Sequence, residues 1–162
     1  MNYLKDFETA QAIPDIFETV KEIVRKKLGK SRAGLELGLK ELGNEKNGFL
    51  GAFYVAGSNM IVMNETPLRR IQETNPKLLK SYIFSILLHE YLHSLGYLKE
   101  EDVRRMTHEI CFKTFGDCLI TEFARDLSQF MPYLIYPEGS PRTDSRTRKV
   151  KNFDKSSIRY IG

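Results

Sequence analysis

Apolar residues recur at the spacing of an α-helix in several stretches of the chain. Between residues 12 and 29 they return every three or four positions, Pro14 suits the first turn, and a glycine ends the stretch. The same reasoning predicts a helix at residues 100–116, which begins with acidic side chains, and another at residues 118–131, which Pro132 should end. These three stretches are therefore predicted to be helices.

The strongest helical pattern lies between Asn75 and Gly96. Asn75 can cap this helix, Pro76 fits its first turn, and Gly96 should end it. Its middle, residues 82–88, is apolar on almost every side, which is typical of a helix buried in the centre of a fold. We therefore expect this helix to be the central element of the protein.

Leucines alternate with other residues between positions 35 and 40, which predicts a strand. The same leucines would also suit a helix, but Gly34 and Gly38 weaken a helix. Two β-prone runs, residues 49–56 and 60–63, flank a glycine-containing turn and form a hairpin signature. Together these elements predict an α+β fold, in which a small twisted sheet with a hairpin rim strand packs on the central helix and on flanking helices.

The composition is that of a globular protein, with 41% hydrophobic and 28% charged residues. Residues 1–136 are predicted to form a single compact domain. Residues 137–162 are rich in Pro, Gly, Ser, Thr and basic residues, so a mostly irregular tail is expected, apart from a short apolar end at residues 158–161. The spacing of Cys111 and Cys118 matches no metal motif, and reduced thiols are expected at both positions.

The positive charge of the chain is concentrated in the tail. Residues 142–162 carry seven basic and two acidic side chains, a net charge of +5, whereas the remaining residues carry 18 basic and 19 acidic ones, a net charge of −1. Nucleic acid is therefore not expected as a partner, except through this tail, which we interpret as a solvated, mobile end. The chain lacks a long apolar run and a secretory signal, so we expect a cytoplasmic protein that does not bind membranes, either monomeric or homo-oligomeric.

Two of the histidines, His89 and His93, lie four residues apart in the central helix, with Glu90 directly after the first. Residues four apart share one face of a helix, so both imidazoles can reach the same metal ion. This H-E-x-x-H arrangement predicts one Zn²⁺ held by both histidines, with Glu90 as the catalytic base that activates a water on the metal. The alternative is a set of incidental polar residues, but unpaired polar groups are costly in so apolar a helix.

A catalytic zinc site usually has a third protein ligand, and the residue pattern leaves its identity open. Metzincins place a histidine six residues after the second one, where this chain has Lys99, which is not a ligand while it is protonated. The remaining candidates, His108 and Glu109, are adjacent on the next helix and point about 100° apart, so at most one of them should face the metal. Periodicity alone does not choose between them.

The segment HEICFKTFG, residues 108–116, resembles the glutamate helix of the gluzincin (thermolysin-like) zinc metallopeptidases, and this resemblance places the third ligand at Glu109. The segment GAFYVAGSNMIV, residues 51–62, is similar to the upper-rim segment of the same family, in which a strand pairs with the substrate backbone. The order of rim hairpin, H-E-x-x-H helix and glutamate helix looks most like that of the small archaeal minigluzincins. The resemblance implies substrate-binding roles for four rim residues: Gly51, Ala52, Phe53 and Tyr54.

The resemblance implies a zinc-dependent endopeptidase that acts on a peptide or protein substrate. In the large gluzincins a downstream histidine helps to stabilise the oxyanion, but no histidine follows His108 in this chain. Tyrosine hydroxyl groups are the candidate oxyanion donors instead, namely those of Tyr54, Tyr133 and Tyr136.

Two other functions compete with the peptidase. The segment HEYLHSLGY with Met106 downstream resembles the small bacterial rRNA-maturation endoribonucleases of the YbeY type, but Glu90 stands where that family has glycine and Lys99 where it has a third histidine. The other alternative is a non-catalytic or latent zinc protein, in which the tail from Pro137 folds back over the cleft.

Overall fold

The computed structural model describes residues 2–140 and 146–155 of the chain. These residues form the expected α+β fold, with seven α-helices and one four-stranded sheet. In chain order the elements are α1 (Tyr3–Thr9), α2 (Ile13–Leu28), β1 (Glu36–Lys40), β2 (Ala52–Tyr54), β3 (Met60–Asn64), α3 (Glu65–Thr74), α4 (Leu79–Ser94), α5 (Glu100–Phe115), α6 (Leu119–Arg125), α7 (Met131–Leu134) and β4 (Arg148–Lys149), with 3₁₀ turns at Pro76–Leu78 and Leu127–Phe130. The apolar end predicted at residues 158–161 lies outside the described residues.

The sheet has the strand order β2-β3-β1-β4. β2 and β3 form the predicted hairpin and pair antiparallel, with Phe53 opposite Val62. β1 runs parallel to β3, with Gly38 opposite Val62, and β4 pairs antiparallel with β1. β2 and β4 are therefore the two edge strands, and the hairpin expected to be the rim provides one of these edges.

α2 follows its predicted pattern closely. Asp15 accepts a hydrogen bond from the backbone at the start of the helix, and Gly29 ends it in the left-handed conformation, with φ 66°. On the apolar side of α2, the buried ring of Phe17 packs edge-on against Tyr91 of α4, with the ring centroids 5.3 Å apart. α2 therefore packs directly against the histidine-bearing helix.

α4 is the central helix, as predicted. It contacts α2, α5, α6 and β2, and side chains on several sides of it are inaccessible to solvent, among them Tyr82, Leu88 and Leu92. A 3₁₀ turn that begins at Pro76 precedes it, and Gly96 follows its end with φ 108°. No helix within the described ranges is both long enough and apolar enough to cross a membrane.

The chain after α5 departs from the single helix predicted at residues 118–131. α6 ends at Arg125 because Asp126 is extended and its carboxylate accepts a hydrogen bond from the backbone N–H of Ser128. A 3₁₀ turn follows, and Pro132 lies in the first turn of α7 rather than at the end of a helix. α1 and α3 have no counterpart among the predicted elements.

Residues 146–155 of the tail belong to the packed fold, contrary to the prediction of a solvated, mobile end. Phe153 is 2% exposed and stacks on Phe17 with the ring centroids 4.0 Å apart. Asp154 is equally buried and accepts a hydrogen bond from Lys21 Nζ at 2.6 Å and another from the backbone N–H of Leu35. These contacts anchor the tail to α2 and to the start of β1, so the packed part of the chain extends beyond residue 136.

Candidate functional site

His89 and His93 lie one turn apart on α4, and both rings approach the same carboxylate. Their ring centroids are 5.0 Å apart. Nε2 of His89 lies 2.8 Å from one carboxylate oxygen of Glu100, and Nε2 of His93 lies 2.9 Å from the other. The ligand atoms of these three residues, which we call the His–His–Glu cluster, all lie within 4.8 Å of one another. Two nitrogens and one carboxylate therefore converge on one point.

A backbone contact orients the His93 ring. Its Nδ1 lies 2.8 Å from the carbonyl oxygen of Tyr97, in the connection between α4 and α5. Because a carbonyl oxygen only accepts hydrogen bonds, Nδ1 carries a hydrogen, and Nε2 of the neutral ring keeps its lone pair. Metal-binding histidines are commonly oriented in this way. Nε2 of His93 faces the carboxylate of Glu100. Two electron-rich atoms this close repel each other unless a shared proton or a cation lies between them.

Glu100 is a site residue that the sequence reasoning missed. It is the first residue of α5, where the helix dipole favours a negative side chain. Burial alone would raise the pKa of Glu100, but the charges and hydrogen bonds of His89 and His93 outweigh burial and hold this pKa below its ordinary value. The signal in the sequence was the short connection at residues 95–99, which brings the start of α5 next to the end of α4.

Glu109 and His108, the third-ligand candidates from the sequence, are not part of the cluster. Glu109 is exposed, and the ring of His108 stacks on Phe112. At ~1.5 Å per residue, Glu109 lies roughly 13 Å farther along α5 than Glu100. The carboxylate beside the histidine pair is therefore that of Glu100, in place of the one that the gluzincin resemblance assigned.

Glu90 is buried beside the cluster on α4. It is 6% exposed, and burial raises its pKa to about 7. The backbone N–H of Tyr54 in β2 faces this carboxylate and lowers its pKa, but by less than burial raises it. A carboxyl group whose pKa lies near neutrality can both take up and release a proton in neutral solution. The environment of Glu90 is therefore suited to a general base and acid.

The cluster opens into a cleft of about 410 Å³. His89, Glu90 and Glu100 all line this cleft, so one imidazole of the pair, the carboxylate that it contacts and the buried glutamate face the same space. Residues 48–52, which lead into β2, form one part of the lining, and residues 123–128, from the end of α6 and the following 3₁₀ turn, form another. The cleft thus brings the predicted rim hairpin and the histidine helix together.

Within the described residues, no strand pairs with the outer edge of the rim strand β2, which begins beside the cleft. The carbonyl oxygen of Gly51 and the backbone N–H of Val55 bond to β3, and in an antiparallel pair alternate residues face the partner strand. The backbone groups of Ala52 and Tyr54 therefore point away from β3. Of the four predicted rim residues, Gly51 and Ala52 line the cleft, whereas Phe53 and Tyr54 do not.

Gly51 permits a close approach between the rim and α4. A Cβ atom at this position would lie 3.1 Å from the hydroxyl oxygen of Tyr82 and 3.3 Å from Cδ1 of Ile86. Both distances are tighter than ordinary van der Waals contacts. A larger residue at position 51 would require the side chain of Tyr82 or Ile86 to shift by a few tenths of an ångström.

The three tyrosines predicted as oxyanion donors do not line the cleft. The hydroxyl of Tyr54 donates to the carbonyl oxygen of Ser58 at 2.6 Å. The hydroxyl of Tyr136 donates to Glu73 at 2.6 Å, and Tyr133 is 38% exposed elsewhere on the surface. The positions of these side chains therefore do not support the predicted role.

Arg32 joins the rim hairpin to the end of α4, and the sequence reasoning missed it because a lone arginine in a connecting segment has no motif. Its guanidinium donates to the hydroxyl of Tyr54 at 2.8 Å and to the carbonyl oxygen of Ser58 at 2.6 Å. It also donates at 2.8 Å to the carbonyl oxygen of Ser94, the last residue of α4. A cation at a helix C-terminus is favourable. Arg32 therefore fixes β2 relative to the helix that carries the histidines.

Basic residues of the described tail are paired with acidic residues of the domain. The ion pairs join Arg148 to Glu65, Lys149 to Glu36, and Lys155 to Asp15. β4 also lies at the sheet edge opposite β2, and no residue of the 146–155 segment lines the cleft. This segment therefore neither covers the cleft nor leaves these three cations free for nucleic acid.

Comparisons of the chain with protein-family models, with curated proteins and with solved structures found no match. The gluzincin resemblance thus stays a prediction that depends on the two quoted segments. What the chain does must be argued from the His–His–Glu cluster, Glu90 and the cleft themselves.

Proposed function

We propose that this protein is a zinc-dependent endopeptidase in which His89, His93 and Glu100 hold the metal and Glu90 is the general base. The observation that carries the proposal is the shared carboxylate: the Nε2 atoms of both histidines approach the two oxygens of Glu100, and Glu100 lines the same cleft as His89 and Glu90. No feature of the described residues favours the endoribonuclease over this function.

The donor set fits zinc better than a hard cation. Two imidazole nitrogens with one carboxylate are typical of a catalytic zinc site, whereas Mg²⁺ and Ca²⁺ prefer oxygen ligands throughout. The contact of His93 Nδ1 with Tyr97 supports coordination through Nε2. When bound to these three residues, the ion would supply a Lewis acid that polarises a carbonyl group and lowers the pKa of water.

Glu90 would move the proton in peptide hydrolysis. The backbone N–H of Tyr54 faces its carboxylate, and the cleft gives water access to the residue. The carboxylate would take a proton from the water that attacks the peptide carbonyl, and would then give this proton to the nitrogen of the departing amine. The two proton transfers leave Glu90 ionised again at the end of the reaction.

An extended peptide is the substrate that the cleft fits best. The outward backbone groups of Ala52 can pair with a peptide main chain, as strand edges do in β-augmentation, whereas the backbone N–H of Tyr54 faces Glu90. A cleft of about 410 Å³ lies within the roughly 300–1,000 Å³ of ordinary ligand sites. Apolar side chains in its lining would take up substrate side chains: Leu50, Ile86, Phe123 and Met131.

Replacement of the two candidate glutamates on α5 tests the metal site. We expect Glu100→Gln to weaken zinc binding by about 10- to 100-fold or more, since it removes a ligand charge. Glu109→Gln is the matched control on the same helix and should leave zinc affinity unchanged. Zinc affinity is measured by competition with a chromogenic chelator. A loss in the Glu109 variant alone would restore the assignment from the gluzincin resemblance and refute the one made from the cluster.

Replacement of the base tests the chemistry separately from the metal. Glu90→Gln should retain zinc but reduce cleavage of unfolded casein or of quenched fluorescent peptides by at least about 10²-fold. A chelator should abolish the activity of the parent protein, and added zinc should restore it. Parent protein that holds zinc and cleaves no peptide would leave the non-catalytic zinc protein as the better account, and cleavage of RNA that survives Glu90→Gln would favour the nuclease.

A further inference from the structure

Arg104 is a cationic side chain in the cleft that none of the roles above uses. It lies one turn after Glu100 on α5, and its Nε is 3.5 Å from the Glu100 oxygen that contacts His89. The guanidinium therefore lies next to the cluster itself. Its side chain is 73% exposed, so it is accessible from the cleft that it helps to line.

The existing partner of Arg104 is a weak one. An ion pair at 3.5 Å between exposed side chains contributes little to stability, because water screens the charges and both side chains lose freedom when they pair. The same Glu100 carboxylate already contacts both histidines. As a metal ligand, Glu100 would have less negative charge to offer Arg104, and the five N–H donors of the guanidinium would remain available at the cleft.

The other arginine of the cleft is held differently. Among the described residues that line the cleft, Arg104 and Arg125 carry the permanent positive charges. Arg125 is paired with Glu122 of the same helix, outside the cluster. The hydroxyl groups of Tyr54 and Tyr136 are engaged elsewhere, and Tyr133 does not line the cleft. Arg104 is thus the cleft cation placed to meet negative charge that forms beside the cluster.

We propose that Arg104 binds an anionic oxygen of the substrate beside the His–His–Glu cluster, namely the scissile carbonyl oxygen as it gains negative charge. This inference depends on the proposed function. A planar guanidinium donates two parallel N–H groups, which suits an oxyanion or a carboxylate better than a neutral carbonyl. Because the contact strengthens as charge develops, it would stabilise the transition state more than the bound substrate.

The same contact could serve a carboxylate that the substrate already carries, such as its C-terminus. In both cases an anionic oxygen contacts the guanidinium. The scissile carbonyl and a terminal carboxylate can be told apart because only some substrates carry a free terminal carboxylate. If the scissile carbonyl is the source, peptide amides and free acids should lose the same factor on loss of Arg104. If a terminal carboxylate is the source, the loss should be confined to free acids.

The experiment compares Arg104→Gln and Arg104→Lys with Arg105→Gln, a matched loss of charge at the next position. Arg105 is exposed, is paired with Asp102 and does not line the cleft. For Arg104→Gln we expect a fall of about 10- to 100-fold in kcat with little change in KM. Arg104→Lys should recover part of this loss. On zinc-loaded protein, calorimetry with a peptide phosphinate, an anionic analogue of the transition state, should give a similar loss of affinity.

Zinc affinity separates binding of the substrate from positioning of Glu100. It should stay within about threefold of the parent in both Arg104 variants, since the pair with Glu100 is weak. A fall in zinc affinity that parallels the fall in activity would overturn the inference and make Arg104 a positioning residue.

Unchanged activity and phosphinate affinity in Arg104→Gln, with an active parent, would overturn this inference alone. A parent without zinc or without peptidase activity would overturn the proposed function and this inference together.

Discussion

Two glutamates of the cleft have the same side chain and opposite environments. Glu90 is 6% exposed, and burial raises its pKa to about 7. The Glu100 side chain is 52% exposed, and the neighbouring histidines hold its pKa below the ordinary value. Glu90 can therefore carry a proton near neutrality, whereas Glu100 stays ionised as a ligand should. At the scale of single residues, environment rather than residue type separates the proposed base from the proposed ligand.

The buried hydroxyl of Tyr82 gives a prediction about stability. It has no hydrogen-bond partner among the described residues, and burial raises its pKa, so the group stays neutral. Since an unpaired buried hydroxyl is unfavourable, Tyr82→Phe should leave the free energy of unfolding unchanged or raise it by up to about 1 kcal/mol. Urea denaturation with circular dichroism measures the effect.

Tyr91→Phe is the matched control on the same helix. Its hydroxyl accepts a hydrogen bond from the backbone N–H of Arg32 at 3.0 Å. Removal of this acceptor should destabilise the protein by about 1–2 kcal/mol. A loss of comparable size in Tyr82→Phe would mean that the Tyr82 hydroxyl has a partner in solution and would contradict the prediction.

Part of the candidate site could be predicted from the sequence because it depends on spacing within one helix. His89, Glu90 and His93 share a turn of α4, and helical geometry alone brings the two imidazoles together. Glu100 could not be chosen in the same way, since its position depends on how the connection after Gly96 turns. The resemblance favoured Glu109, which lies on the same helix but too far along it.

At the scale of elements, the rim hairpin and α4 are held together by side chains from outside both. Arg32 donates to Tyr54 and Ser58 of the hairpin and to the last carbonyl of α4. The backbone N–H of Tyr54 in turn faces the carboxylate of Glu90. The position of the proposed base thus depends on a residue that precedes β1.

Replacement of Arg32 tests this connection. Arg32→Met keeps a long apolar side chain but removes three hydrogen-bond donors, so we expect a loss of about 2–3 kcal/mol in the free energy of unfolding. With the rim displaced, KM for peptides should rise more than kcat falls. Arg25→Met, which removes a solvent-exposed pair with Glu22, should change stability by less than about 0.5 kcal/mol. Equal effects in both variants would contradict the role assigned to Arg32.

Element prediction succeeded where periodicity and end signals agreed. α2, α4 and α5 have apolar spacing together with glycine at their ends, and all three form, although α4 begins at Leu79 after a 3₁₀ turn that the Asn75 side chain does not cap. The predicted helix at residues 118–131 breaks because the side chain of Asp126 bonds to the backbone of Ser128, a local competition that periodicity does not register. Side-chain bonds of this kind explain why boundaries were less predictable than the elements themselves.

At the scale of the whole molecule, the tail closes the fold at the edge of the sheet opposite the cleft. β4 pairs with β1, Phe153 stacks on Phe17, and the buried Asp154 contacts Lys21. A two-residue strand and a single aromatic anchor have no periodicity, so the composition of the tail predicted irregular structure instead. The described part of the tail therefore acts in stability rather than in blocking the cleft.

Loss of the aromatic anchor should destabilise the protein. Phe153→Ala removes a buried ring and should lower the free energy of unfolding by about 3 kcal/mol. Lys151→Ala, at an exposed position of the same segment, is the control and should have little effect. Chemical denaturation measures both. Peptide cleavage by folded Phe153→Ala protein should not increase; an increase would instead support the latent form of the protein.

The proposed ligands all belong to one uninterrupted stretch, residues 89–100, formed by the last turns of α4, the connection and the first residue of α5. An ion held there closes a loop of only about a dozen residues, so the chain entropy lost in closing it is small. Contacts between residues this near in sequence form early, before the distant strands of a sheet pair. An ion bound by the proposed ligands would therefore join α4 to α5 without needing the rim or the tail to be folded.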